Sequence, residues 1–130
     1  MQVTNWMTPN PVCVGPRESL ARAGALMATG GFRQLPVVEN GNLIGIVTDR
    51  DLRPHSGYLE STLVDAAMTS CPVVISPFDS VEVAAKLMIQ HKIGAVPVVE
   101  KGRAIGIVST SDLLKALLKI IEATKRIVAQ

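Results

Sequence analysis

Apolar residues along this chain follow two spacings, and each spacing occurs twice. Behind Ser19, the residues Leu20, Ala23, Leu26 and Met27 fall three or four positions apart, and behind Ser80 so do Val81, Ala84, Leu87 and Met88. This spacing gathers side chains on one helical face, and a serine just ahead is a preferred N-cap because its oxygen accepts a first-turn N–H. The helices should end at Gly30 and Gly31 in one case and near His91 and Lys92 in the other. β-branched runs surround them. "PVCV" and "PVVI" read as brief strands, while "QLPVVE" with "NLIGIVT", and "AVPVVE" with "RAIGIVS", read as strand pairs turned by Asn40-Gly41 and Lys101-Gly102. A last helix in each half should start near Asp49 and Thr110. The second runs on through "LLKALLKIIEATKRIVAQ", where Leu114, Leu117, Ile120, Ile121 and Ile127 form an apolar stripe. That tail is longer than its counterpart, so part of the stripe is expected to face another chain.

Sliding the chain on itself by 61 positions aligns residues 3–53 with 64–114 without a gap, and 21 of these 51 pairs are identical. Met7 falls on Met68, Pro11 on Pro72, Ser19 on Ser80, Pro36 on Pro97, Gly45 on Gly106 and Asp51 on Asp112. One unit is therefore written twice. The unit is strand, helix, strand, strand, helix, an α/β (α+β) arrangement. Helices on one face of its sheet leave the other face apolar, and the same face of the second copy can cover it. Two β-α-β-β-α units packed sheet to sheet about a pseudo-twofold axis follow, sharing a core because about 60 residues bury too little surface alone. The expected boundaries are 1–53 for the first unit, 54–62 for a linker and 63–130 for the second unit with its extended helix. The linker stretch "RPHSGYLEST" carries Pro54 and Gly57 and little periodicity.

Composition narrows what such a doubled unit can do. Apolar residues make up 48% of the chain but aromatics only 3%, so the interior is built from Val, Ile, Leu, Ala and Met. A formal net charge of +2 gives no field suited to nucleic acid or a membrane surface. No apolar run approaches the ~20 residues of a membrane span. Cys13 and Cys71 lack metal-type spacing, and no signal-peptide pattern opens the chain, so they are expected to be reduced, mostly buried thiols of a cytoplasmic protein. His55 and His91 have no second ligand at metal spacing, and no Ser or Cys sits in a nucleophile elbow; neither a metal site nor catalysis is expected. Trp6 and Met7 should pack against the second half or a dimer mate.

The order and spacing of the repeated motifs resemble a known family. "MTPNPV" and "MTSCPV" open the halves, "LPVVENG" and "VPVVEKG" lie in the middle, and "GIVTDRDL" and "GIVSTSDL" close them. Over about 110 residues this is similar to a tandem pair of CBS (cystathionine β-synthase) domains. The resemblance implies a stand-alone regulatory module, not an enzyme, that binds an adenosyl nucleotide of AMP, ADP, ATP or S-adenosylmethionine type between its two motifs. It implies a homodimer, a flat disc of four motifs, that signals by conformational change to a regulated protein which the sequence does not name. No resident cofactor is required. The contrasting expectation is a constitutive dimerisation or scaffold protein whose pockets are empty.

Carried over by position, the resemblance implies one cleft pairing Ser109 and Asp112 with Thr8, Val12, Phe32 and Arg33. The other would pair Thr48 and Asp51 with Thr69, Val73, Ile93 and Gly94. The apolar members would sandwich the adenine. The closing motif has a chemistry to match. A hydroxyl at a strand-to-helix junction can bond a phosphate oxygen beside free N–H groups, and a carboxylate three residues on can accept both hydroxyls of a ribose. The same residues also make an ordinary N-cap. Gly45 and Gly106, inside strands, mark a close approach by another backbone or a ligand. Arg33 is matched by Gly94 and Arg50 by Ser111. As plain residues both arginines are solvated surface charges. As ligand contacts they make the cleft of Arg33, Ser109 and Asp112 the better host for a charged nucleotide. The Thr48 and Asp51 cleft is then expected to take a less charged ligand, or to share phosphate contacts through Arg50.

Overall fold

In the computed structural model, which describes residues 1–129, the two serines cap their helices. Ser19 Oγ accepts from Arg22 N at 3.1 Å, and Ser80 Oγ from Val83 N at 3.3 Å. Helices α1 (Leu20–Gly30) and α3 (Val81–His91) stop where the backbone turns left-handed, at Gly31 with φ 72° and Lys92 with φ 54°. Strands β2 (Gln34–Glu39) and β3 (Asn42–Thr48) form one hairpin, and β5 (Ala95–Glu100) and β6 (Arg103–Ser109) the other. Both turns place two residues at positive φ, as the Asn-Gly and Lys-Gly pairs predict. Helix α2 (Asp49–Leu52) is a single turn, whereas α4 (Thr110–Ala129) has 20 residues. Gln130, the last residue of the expected extended helix, lies outside the described residues.

The first strand of each unit departs from the sequence reading. "PVCV" and "PVVI" do not form strands of their own; each makes one parallel bridge, Val14 to Val37 and Ile75 to Val98. Prolines at 11, 16, 72 and 77 lack the N–H that a longer ladder needs. The strands proper lie just before, β1 (Thr8–Pro9) and β4 (Thr69–Ser70), and they are exchanged. β1 pairs with β6 of the second unit and β4 with β3 of the first, giving sheets ordered β1-β6-β5 and β2-β3-β4.

The exchange explains the strand glycines. A Cβ on Gly45 would lie 2.6 Å from Met68 Sδ and 2.9 Å from Thr69 O, and one on Gly106 would run into the Met7 side chain. The close approach there is made by the swapped segment. Each exchanged segment also carries a valine into the other unit's core. Val64 packs with Val14, Leu20, Ala23, Met27, Leu35, Val37 and Val47, while Val3 packs with Ile75, Ala84, Met88, Val96, Val98 and Val108. Both valines are fully buried, which stabilises by about 1.5–3 kcal/mol for each side chain. Met7 joins the second cluster, so the opening stretch packs on the second half. The two sheets meet along their middle strands, β3 and β6, around the pseudo-twofold axis.

The segment between the units is docked. Ala21 N donates to Leu59 O at 3.0 Å and Leu20 N to Thr62 O at 2.8 Å, and Leu59 packs on the first core. Both cysteines are free, but only Cys13 is partly buried, and burial pushes its thiol pKa up; Cys71 is exposed on a turn at φ 50°, against the expectation that both lie inside. Among the described residues, no helix is long and apolar enough to cross a membrane.

Candidate functional site

Strand ends β3 and β6 deliver the hydroxyl–x–x–Asp pairs to the start of the closing helices, on opposite sides of the pseudo-twofold axis. In the first unit Asp51 Oδ2 accepts from Thr48 N at 2.8 Å, and Thr48 Oγ1 accepts from Asp51 N at 3.3 Å. This is a reciprocal capping box. In the second, Asp112 Oδ2 accepts from Ser109 N at 2.8 Å and from the Ser109 hydroxyl at 3.1 Å, while Asp112 N donates to Ser109 Oγ at 3.4 Å. The N-cap role is thus realised twice, and it engages one carboxylate oxygen of each aspartate. The other oxygen, Oδ1, makes no hydrogen bond among the described residues. Asp112 is 8% exposed, yet among the described residues no buried side-chain oxygen lacks a partner, so its Oδ1 is open to solvent. A carboxylate held by its cap through one oxygen, with the second unpaired, is pre-oriented to accept from a donor-bearing ligand.

Each aspartate faces a cavity. The larger, about 680 Å³, is lined by Thr8, Val12, Phe32, Arg33, Ser109 and Asp112, together with Lys115 on α4. The smaller, about 380 Å³, is lined by Thr48, Arg50, Asp51, Thr69, Val73 and Ile93, together with Asp49 and Lys92. Both volumes fall in the range of small-molecule sites, roughly 300–1,000 Å³. The two linings are largely the same positions shifted by 61, with Val12 for Val73, Phe32 for Ile93, Ser109 for Thr48 and Asp112 for Asp51. Apolar and aromatic residues from one unit therefore oppose the hydroxyl and carboxylate of the other in each cavity.

Three residues are shared. Arg33, expected in one cleft, and Gly94, expected in the other, both line both cavities, as does Gln34. Their carbonyls are pinned to the helix starts, Arg33 O accepting from Asp49 N at 2.8 Å and Gly94 O from Thr110 N at 3.0 Å. Lys115, Lys92 and Asp49 were not singled out by the sequence pattern. Lys115 stands three residues beyond Asp112, a spacing that shares a helix face, which was the one available signal. Lys92 replaces Gly31 at the left-handed helix stop, and nothing in the repeat marks it.

The electrostatics differ between the cavities. Asp49 Oδ1 accepts from Arg50 N at 2.9 Å, so the carboxylate of Asp49 occupies a first-turn amide beside the smaller cavity. Its counterpart Thr110 has no carboxylate and donates its hydroxyl to Gly94 O at 3.1 Å, leaving the Ser111 N–H without such a local partner. Helix α4 also presents the full dipole of a long helix to the larger cavity, whereas α2 is one turn.

Comparison with known proteins bears on this architecture. The chain is 46% identical to a CBS domain-containing protein of Dictyostelium discoideum over 106 residues, 70% of this chain and 73% of that one. It is 35% identical to the CBS domain-containing protein YhcV of Bacillus subtilis over 114 residues, 85% and 81% of the two chains. The solved structure of CBSX2 in complex with AMP superposes with a TM-score of 0.83 at 30% identity, covering 92% of this chain and 97% of that one. The CBS domain pair of protein MJ0100, solved with 5′-methylthioadenosine and S-adenosyl-L-methionine, superposes with a TM-score of 0.83 over 90% and 95% of the chains. At 24% identity that likeness speaks for the fold alone. The CBS domain model matches twice, at residues 3–56 and 64–119, one match for each repeated unit with its exchanged strand. The chain belongs to the CBS domain family, as a tandem pair.

Proposed function

We propose that this CBS pair is a regulatory module that binds an adenosyl nucleotide in its cavities and passes the resulting geometry to a partner protein. One observation carries the reading. In each cavity a capped aspartate offers an unpaired carboxylate oxygen opposite an apolar wall from the other unit, an arrangement suited to a ribose cis-diol on one side and a flat base on the other. AMP bound to CBSX2 supports this ligand class. A ligand that bridges the two units more tightly in one relative geometry than in another shifts their equilibrium toward it.

The reading includes a cytoplasmic homodimer, a disc of four motifs. Free thiols suit a reducing compartment. On α4, Leu114, Leu117, Leu118, Ile120 and Ile121 are exposed, an apolar face that a second copy would cover. The same exposed face favours the second reading, a constitutive scaffold with empty cavities. Thermal unfolding with AMP, ADP, ATP, S-adenosylmethionine and NAD, each at millimolar concentration, separates the two. A ligand at 100 times its Kd stabilises by about 2.7 kcal/mol, which for a domain of this size raises Tm by roughly 8 °C. A flat response to every member of that panel would leave the scaffold reading standing.

A further inference from the structure

Most contributors to the two cavities have a counterpart 61 positions away in the other, and one unlike pair, Arg33 and Gly94, has both members in both cavities. Arg33 and its counterpart Gly94 each line both cavities, so two pseudo-symmetric sites share one arginine at their common wall. Arg33 is exposed and belongs to none of the ion pairs of the described residues, which are Arg17 with Glu39, Arg22 with Glu18 and Lys86 with Glu82. Its backbone is pinned by the Asp49 N–H, so the side chain pivots from a fixed point at the common wall. Arginine stays charged at any physiological pH, and a guanidinium swung into one cavity to grip a phosphate bidentately is drawn away from the other.

From the sharing, we propose that Arg33 couples the two cavities: a phosphorylated ligand in one takes the guanidinium and leaves the other with an affinity at least tenfold lower. The larger cavity wins this competition, because its neighbouring first-turn amide is free of a carboxylate, while Asp49 and Asp51 both line the smaller one. A ligand without phosphate does not use the fork, and the two cavities then fill independently. This inference rests on the nucleotide-binding reading and adds to it an order of filling.

Calorimetric titration of the full chain with AMP and with adenosine tests it. For AMP in the wild type, two steps are expected with Kd values roughly 10- to 100-fold apart, the span of a hydrogen bond to a charged group. For adenosine the steps should lie within about threefold. Arg33→Gln should bring the AMP steps to within about fivefold of each other, near the weaker value. Gly94→Arg should raise the second step toward the first. A side chain fits at position 94, since its Cβ would meet only Thr110 Oγ1 at 3.7 Å and its φ is not left-handed. Val12→Trp, which fills the wall of the larger cavity from an exposed position, discriminates sharing from ownership. Under sharing, the smaller cavity then binds AMP several-fold more tightly than in the second wild-type step. Under ownership it does not change, and the proposal falls. Equal AMP steps in the wild type, or a gap that Arg33→Gln leaves undiminished, also overturn it while the nucleotide reading stands. No binding of either AMP or adenosine would sink both together.

Discussion

The larger and smaller cavities share a plan and differ in where their charges lie. Both are bounded by a capped aspartate on one side and by apolar residues of the opposite unit on the other. Around the larger stand Arg33, Lys115 and one carboxylate, Asp112; around the smaller stand Arg33, Arg50, Lys92 and two carboxylates, Asp49 and Asp51. The formal sums are equal, at +1 each, so net charge does not separate them. Placement does. Asp49 sits on the first-turn amide that an anion would otherwise approach, and the larger cavity has no equivalent. Both cavities thus keep the capped aspartate and the apolar wall, and the charges around them are placed differently.

The most damaging way to break the comparison is to remove one carboxylate at a time. Asn at position 51 or 112 keeps an oxygen for the cap but loses the second acceptor and the charge. Asp112→Asn is expected to weaken adenosine and AMP in the larger cavity by about 100-fold, equivalent to roughly 2.7 kcal/mol. Asp51→Asn should do the same only in the smaller cavity. Calorimetric titration of both variants, with circular dichroism to verify folding, decides the matter. Unchanged affinity in both would remove these aspartates from the site.

That experiment targets positions readable from sequence, and other parts of the molecule were not readable in the same way. The 61-residue offset located the hairpins, both helix stops and the serine caps, because these depend on local chemistry: φ at Asn40 and Gly41, or a hydroxyl three residues before an N–H. The residues singled out for the clefts all line one cavity or the other for a related reason, since the family pattern was carried over position by position. What the pattern could not show was long-range. Nothing in "MTPNPV" says that Thr8 pairs with Ile107 across 99 residues instead of joining its own hairpin. The sharing of Arg33 was hidden too, because adjacency at a pseudo-twofold axis is a property of packing and leaves no periodicity in the chain. Lys92 and Asp49 are ordinary polar surface residues by any local measure.

The strand exchange predicts a second, smaller inequality, in stability. Alanine at Gly45 or Gly106 puts a methyl where the swapped segment passes, but the two obstacles differ. At Gly45 the methyl meets backbone, Thr69 O at 2.9 Å, as well as Met68; at Gly106 its three nearest neighbours all belong to the flexible Met7 side chain. Methionine can change rotamer and backbone carbonyls in a ladder cannot. Gly45→Ala should therefore cost about 2–3 kcal/mol and Gly106→Ala about 1 kcal/mol, within the usual span for overpacking. Urea unfolding measures both. A larger cost at Gly106 would mean that Met7 is held as rigidly as backbone.

The smallest effect sharpens the contrast in charge. Lys115 stands one turn beyond Asp112 on α4, and its counterpart in the first unit is Pro54, so only the larger cavity has an ammonium at this position. The side chain is exposed, and solvent-exposed charge pairs are worth roughly 0.2–1 kcal/mol. Lys115→Ala should then weaken AMP in the larger cavity by about three- to fivefold and leave adenosine unaffected. Because the interaction is screened, the difference between wild type and variant should shrink on going from about 0.05 M to 0.5 M salt, where the Debye length drops to a few ångströms. A loss that is the same for adenosine, or that persists at high salt, would show that Lys115 acts through the shape of α4 and not through its charge.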